Sequence, residues 1–164
     1  MEKPRELVLN YRANGFNTTA TYEVSEQTWL RVQSLRDENS DKAVADWLLD
    51  HGDTLHCATG PALVMSKDDG SVTKKYYEHG ELHRADGPAI DAYDASGTTS
   101  KEYYTHGKRD RVGGPAISVR YKDGSGFDKY CTDGKVVKEV RIGSPSTAPD
   151  ATARRALNPS NAHP

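Results

Sequence analysis

The chain has 164 residues, of which 35% are hydrophobic and 28% charged, and it carries 22 Lys and Arg against 24 Asp and Glu. This length allows one compact domain with a tail, or a short array with a cap, and it excludes a large enzyme. The first residues have no apolar run behind their charges, and no segment approaches the length of a membrane span, so the sequence predicts a soluble, cytoplasmic protein.

Charge is distributed unevenly along the chain. The net charge is −4 over residues 1–53, −3 over residues 54–107 and +5 over residues 108–164. An acidic end and a basic end favour either an oriented partner or head-to-tail self-association. Solvated surface charge that drifts along the chain explains the pattern equally well.

Residues 1–53 are predicted to form a mixed α/β cap. Residues 6–11 and 18–24 have strand-like composition, and the turn signal Asn14-Gly15 between them predicts a hairpin. Ser25 is a predicted N-cap of a helix that extends to about residue 37. A second helix is predicted from about Ser40 to Gly52. The simplest role for both helices is to cover an apolar hairpin face, and the alternative is a partner-binding surface.

Residues 54–140 contain three copies of one 27-residue unit. Gly-Pro-Ala occupies residues 60–62, 87–89 and 114–116, and columns of glycine and tyrosine recur at the same interval. Such agreement between independent columns is typical of a repeat array rather than of a single-core domain.

Each unit is predicted to fold as a β-hairpin with a return turn. Positions after Gly-Pro-Ala alternate in polarity, which indicates a strand with one inward face. Glycines at 70, 97 and 124 predict the hairpin turns, and the second strand is expected to end in a tyrosine pair such as Tyr76-Tyr77. The predicted fold class is therefore α+β: an N-terminal hairpin and two-helix cap, followed by an elongated antiparallel β-sheet of three 27-residue hairpin repeats.

Residues 141–164 are predicted to be a disordered C-terminal tail. The segment 143–149 is rich in serine and proline and has too little apolar surface to fold alone.

The two cysteines, Cys57 and Cys131, are predicted to be reduced and unpaired. If each unit adds two strands at the usual spacing, equivalent positions lie about 10 Å apart, so nearly three units would separate the two thiols.

Metal and catalytic sites are not predicted. Five of the six histidines fall in repeat columns, where equivalent positions about 10 Å apart cannot share one metal ion. These histidines are expected to bond to turn backbone or to carboxylates like that of Asp86. Since no catalytic or nucleotide-binding motif occurs either, we predict a protein that is not an enzyme and needs no cofactor.

The predicted partner-binding surface is a basic group in and around the third unit. Its members combine cationic and tyrosine side chains, which suit phosphates or an acidic protein surface: Tyr104, Lys108, Arg109, Arg111, Arg120, Tyr121 and Lys122. A solvated face of the array is the alternative interpretation.

The clearest copy of the unit contains residues 76–80, Tyr-Tyr-Glu-His-Gly, and residues 82–89, Leu-His-Arg-Ala-Asp-Gly-Pro-Ala. It resembles MORN-type repeats and the related antitoxin-like repeats of bacteria, most closely a His-Arg-x-Asp-Gly-Pro-Ala version of bacterial and bacteriophage proteins. The resemblance covers residues 54–140 only, and the third copy departs from it with Arg109-Asp110-Arg111 in place of Leu-His-Arg. It implies a scaffold or binding role without chemistry, and the long unit disfavours membrane-lipid binding.

The expected function is a protein–protein interaction module without enzymatic activity. The resemblance implies a phage or bacterial protein, acting in the host cytoplasm if phage-encoded, that binds and inhibits a host or defence complex. Two alternatives stay open: a nucleic-acid or nucleotide-phosphate binder that uses the basic third repeat, and a scaffold that self-associates, for example as a homodimer.

Overall fold

A computed structural model describes residues 4–36 and 40–144. It contains two helices, α1 (Glu26–Arg36) and α2 (Asp41–Asp50). The strands are β1 (Arg5–Ala13), β2 (Phe16–Val24), β3 (Leu63–Ser66), β4 (Val72–Lys75), β5 (Tyr77–Glu78), β6 (Glu81–Leu82), β7 (Ile90–Tyr93), β8 (Thr99–Glu102), β9 (Tyr104–Thr105), β10 (Lys108–Arg109), β11 (Ile117–Arg120), β12 (Gly126–Thr132) and β13 (Lys135–Ile142).

Nine strands form one long, open antiparallel sheet in the order β1-β2-β3-β4-β7-β8-β11-β12-β13. The remaining strands form two small hairpins, β5-β6 and β9-β10, outside that sheet. The α+β fold class is therefore confirmed: an N-terminal hairpin and two helices precede a long antiparallel sheet.

The N-terminal elements match the sequence prediction closely. Asn14 and Gly15 have φ angles of 51° and 79° and join β1 to β2 in a tight turn, which such residues tolerate. The backbone N–H of Thr28 donates to Ser25 Oγ at 3.1 Å, so Ser25 is the N-cap of α1. Ser40 caps α2 in the same way.

The main core lies between the N-terminal hairpin and the two helices. Hydrophobic residues of β1 and β2 pack against one face of each helix, and the cluster comprises Leu7, Leu9, Ala20, Tyr22, Val24, Val32, Val44, Ala45 and Leu48. The helices thus cover the apolar face of this hairpin. Farther along the sheet the buried side chains are small, such as the fully buried Ala89 and Ala116.

The tyrosine pairs do not end the second strands, so this detail of the prediction is wrong. β4 ends at Lys75, and the N–H of Tyr76 makes the last ladder bond, to the carbonyl oxygen of Ala89 at 2.8 Å. Pro88 comes next on the partner side and has no N–H to donate, so the ladder stops there. Tyr77 then begins the separate β5-β6 hairpin.

The end of the sheet also differs from the predicted boundary at residue 140. No further Gly-Pro-Ala follows residues 114–116, so β12 continues to Thr132 and pairs with β13, which extends to Ile142. Most of the predicted tail, residues 145–164, lies outside the described residues. Cys57 and the buried Cys131 are both free thiols, as predicted.

Neither described helix is long and apolar enough to cross a membrane.

Candidate functional site

The structure divides the seven predicted partner-binding residues into two groups. Tyr104, Lys108, Arg109 and Arg111 lie on or just after the β9-β10 hairpin, whereas Arg120, Tyr121 and Lys122 lie at the far end of β11 and in the following turn. Because β11 spans four residues, about 10 Å of strand separates the groups.

Two of the predicted residues, Tyr104 and Arg109, donate hydrogen bonds to the same carboxylate. The Tyr104 side chain is almost buried, and its hydroxyl donates to Glu102 Oε2 at 3.1 Å. Arg109 Nε donates to the same oxygen at 3.0 Å, and this bond raises the pKa of the Arg109 guanidinium. The charge of Arg109 is thus already matched by a carboxylate.

Two further predicted cations are matched as well. Arg120 Nη1 lies 2.8 Å from Asp128 Oδ1, and the hydrogen bond between these side chains lowers the pKa of the Asp128 carboxyl. Lys108 Nζ lies 3.7 Å from Asp133 Oδ1. Few of the predicted cations therefore remain available to phosphates.

Arg111 has a different environment. Its guanidinium carbon lies 3.8 Å from the centroid of the Tyr103 ring, and Nη1 donates to the carbonyl oxygen of Pro115 at 3.4 Å. A Cβ atom on Gly114 would lie 3.0 Å from the same carbon, so the glycine makes room for the side chain. Among the described residues, no carboxylate lies within ion-pair distance of Arg111, which leaves most of its donors free for a ligand.

Arg84 stands 27 residues before Arg111 and has a similar environment. Its guanidinium carbon lies 4.0 Å from the Tyr76 ring centroid and packs against Gly87 in the same way. Unlike Arg111, however, it is paired, since Arg84 Nε donates to Asp86 Oδ1 at 3.0 Å. Gly113 stands 27 residues after Asp86 and has no side chain to make this bond.

The two arginine–tyrosine stacks line adjoining cavities of about 570 and 460 Å³, which share Arg84, Ala85 and Asp86. We call the combined depression the arginine–tyrosine groove. Val112 also lines it, with 97% of its surface exposed. The groove therefore combines aromatic rings, guanidinium groups and one exposed aliphatic side chain.

Two histidine pairs lie at this groove, three of whose four members line its larger cavity, and sequence analysis missed both. The rings of His56 and His79 stack with centroids 4.7 Å apart, and those of His83 and His106 stack at 4.4 Å. The spacing of equivalent histidines therefore does not keep all of these rings apart. The sequence argument compared equivalent positions 27 residues apart, whereas the stacked residues are 23 apart.

The first histidine of each pair bonds to turn backbone, as predicted. His83 Nδ1 accepts the N–H of His106 at 3.2 Å, and His56 Nδ1 accepts that of His79 at the same distance. Their Nε2 atoms face glutamates rather than the Asp86-like carboxylates of the prediction: His83 Nε2 lies 3.4 Å from Glu78.

The chain matches no protein-family model and no curated protein.

Proposed function

We propose that this protein is a non-enzymatic interaction module that binds another protein through the arginine–tyrosine groove. The observation that supports the proposal most directly is the pair of arginine–tyrosine stacks on adjoining cavities. Tyrosine and arginine are over-represented among the residues that dominate binding at protein interfaces. A ring that holds a guanidinium in place lowers the entropy that the arginine loses on binding.

The groove belongs, in this proposal, to an array of three 27-residue hairpin units of the MORN type. Equivalent bonds support the array: Tyr76 N–H donates to Ala89 at 2.8 Å, and Tyr103 N–H donates to Ala116 at 2.8 Å. The further proposal of a phage or bacterial protein that inhibits a host or defence complex in the cytoplasm rests on the resemblance of these units alone.

A capture experiment with matched variants tests the protein-binding proposal. We expect a partner recovered with the full chain to be lost when Arg84 and Arg111 are both replaced by alanine. Arg12→Ala is the control, because Arg12 pairs with Asp68 at 2.7 Å away from the groove. Equal recovery with the double variant and the control would contradict binding at the groove.

Nucleic-acid binding through the third unit is the weaker alternative. Arg109, Arg120 and Lys108 each face a carboxylate, so a phosphate backbone would have to displace existing ion pairs. We expect no salt-sensitive binding to single- or double-stranded nucleic acid. If such binding is found and Arg109→Glu with Arg111→Glu removes it, this alternative replaces the groove proposal.

Self-association is the second candidate, and the edge strand β13 favours it. β13 pairs with β12 on one side only, and Val136 and Val137 are 53% and 65% exposed. However, the ladder shifts register between Tyr130 and Cys131, and such an irregularity disfavours the docking of a further strand. Sedimentation at low salt distinguishes the candidates: a dimer that Val137→Lys disrupts supports self-association, and a monomer excludes it.

A further inference from the structure

Three potential metal ligands converge at the groove, and two of them, Glu78 and His83, line its larger cavity. Glu78 follows Tyr77 on β5, His83 follows β6, and His106 lies in the turn between β9 and β10. One donor atom of each lies within 4.8 Å of the others, and no other group of three such ligands occurs in the described part of the chain. Glu81 is a fourth candidate, with Oε2 3.9 Å from His106 Nδ1.

We propose that Glu78, His83 and His106 bind a divalent transition-metal ion, with Zn²⁺ as the probe. Two imidazoles and one carboxylate form a ligand set that zinc accepts, with a fourth position left for water or for Glu81. The site would join the β5-β6 hairpin to the β9-β10 turn. Both elements lie outside the nine-stranded sheet.

The His83 and His106 rings must unstack to share one ion, because a metal lies near the plane of each imidazole that binds it and the two planes are now only 20° from parallel. Tetrahedral zinc with ligand bonds of about 2.1 Å places its donors about 3.4 Å apart, so donor separations of up to 4.8 Å must shrink by up to about 1.4 Å. The side chains of Glu78 and His106 are 44% and 66% exposed and are free to adjust. The His83 side chain is only 19% exposed, so we expect it to stay in place while Glu78 and His106 move towards it.

Metal binding through His83 Nε2 costs a hydrogen bond as well as the ring stack. Nδ1 accepts the backbone N–H of His106, so the proton of the neutral ring is on Nε2. A metal at Nε2 moves that proton to Nδ1, and the bond to His106 breaks. The released N–H belongs to an exposed turn residue, where water replaces the lost acceptor. One exchanged hydrogen bond is small beside three metal–ligand bonds.

The chain provides a matched control in the other histidine pair. His79 occupies the same left-handed turn position as His106, with φ angles of 48° and 45°, and it also stacks on a histidine. The pair of His56 and His79 has Glu23 at 3.1 Å from His56 Nε2, yet these three do not form a triad of converging donors. Asparagine tolerates positive φ, so His79→Asn and His106→Asn are equivalent changes to the backbone.

Calorimetric titration of the full chain with ZnCl₂ tests the site. We expect one equivalent of zinc to bind, His106→Asn and Glu78→Gln each to weaken binding at least about tenfold, and His79→Asn to leave it unchanged. Circular dichroism checks that each variant is folded.

A second measurement distinguishes metal binding at this site from metal binding by the cysteine thiols. Co²⁺ bound at the proposed site should give visible bands of nitrogen and oxygen ligation without a thiolate charge-transfer band. Three outcomes would each overturn the proposal: no binding to the wild type, equal weakening by His79→Asn and His106→Asn, or a thiolate band that Cys57→Ser removes.

Discussion

Asp41 closes the outer edge of β1 by accepting the backbone N–H of Asn10 at 2.7 Å through Oδ2. Its other oxygen, Oδ1, accepts from Arg36 Nε at 3.2 Å, and Arg36 Nη2 donates to the carbonyl oxygen of Val8 at 2.7 Å. The Asp41 and Arg36 side chains thereby bond to two backbone groups of β1 that a neighbouring strand would otherwise pair. Among the described residues, no side-chain hydrogen bond of this kind covers the backbone of β13. The two edges of the sheet therefore differ in how many of their outer backbone groups are free to pair with a further strand.

The first prediction concerns this edge. Asp41→Ala should lower the free energy of unfolding by about 1–3 kcal/mol, because it removes a charged acceptor from a backbone N–H and from a partly buried guanidinium. Asp46→Ala is the control: its exposed ion pair with Lys42 contributes only about 0.5 kcal/mol. Urea unfolding of both variants measures the difference, and equal losses would show that Asp41 has no special role at the edge.

The second prediction compares adjacent leucines of α2. Leu48 is fully buried in the core against the N-terminal hairpin, whereas Leu49 is 59% exposed. Leu48→Ala should therefore cost about 2–5 kcal/mol through lost burial and the cavity it leaves. Leu49→Ala should stay within about 0.5 kcal/mol of the wild type. Thermal or urea unfolding measures both changes. Similar losses of stability in the two variants would contradict the assignment of Leu48 to the buried face of α2 and of Leu49 to its exposed face.

Local signals explain why the N-terminal part could be predicted from sequence. A turn such as Asn14-Gly15 and an N-cap such as Ser25 depend on bonds between residues a few positions apart. The alternation of apolar residues likewise identifies strand faces without knowledge of their partners. The fold class and most element positions follow from such signals.

Contacts across different columns explain what could not be predicted. The ladder stops at Tyr76 because of Pro88, a residue 12 positions away that precedes the neighbouring strand β7. His83 and His106 meet because the turn of one small hairpin lies against the segment after the previous one. A repeat interval gives the distance between equivalent residues, and it says nothing about which non-equivalent residues lie side by side.

The third prediction tests the support of Arg111. Gly114→Ala places a methyl group about 3 Å from its guanidinium carbon, so the guanidinium must shift by a few tenths of an ångström relative to the Tyr103 ring. We expect the ring-current shift of the Arg111 Nε–Hε signal in an NMR spectrum to change. Gly60→Ala is the control, since its nearest neighbour would be the Cys57 sulfur at 3.9 Å. An unchanged Arg111 signal in Gly114→Ala would contradict the stacked arrangement.

The fourth prediction concerns alkaline pH. Tyr22 is 2% exposed, and burial raises its pKa from 10.0 to about 12. Between these values the unfolded chain releases the Tyr22 proton while the folded chain keeps it, so the free energy of unfolding falls as pH rises. The slope contributed by this residue approaches about 1.4 kcal/mol per pH unit within that window and vanishes below it.

Urea unfolding at several pH values from about 8 to 11 tests this slope in the wild type and in Tyr22→Phe. The phenylalanine variant should lose stability less steeply, because its ring has no proton to release. Some slope should remain, since burial also raises the pKa values of Tyr11, Tyr77 and Tyr104. Tyr93→Phe is the control because that ring is 49% exposed. If Tyr22→Phe and Tyr93→Phe flatten the profile equally, burial of Tyr22 is not the cause of the alkaline loss.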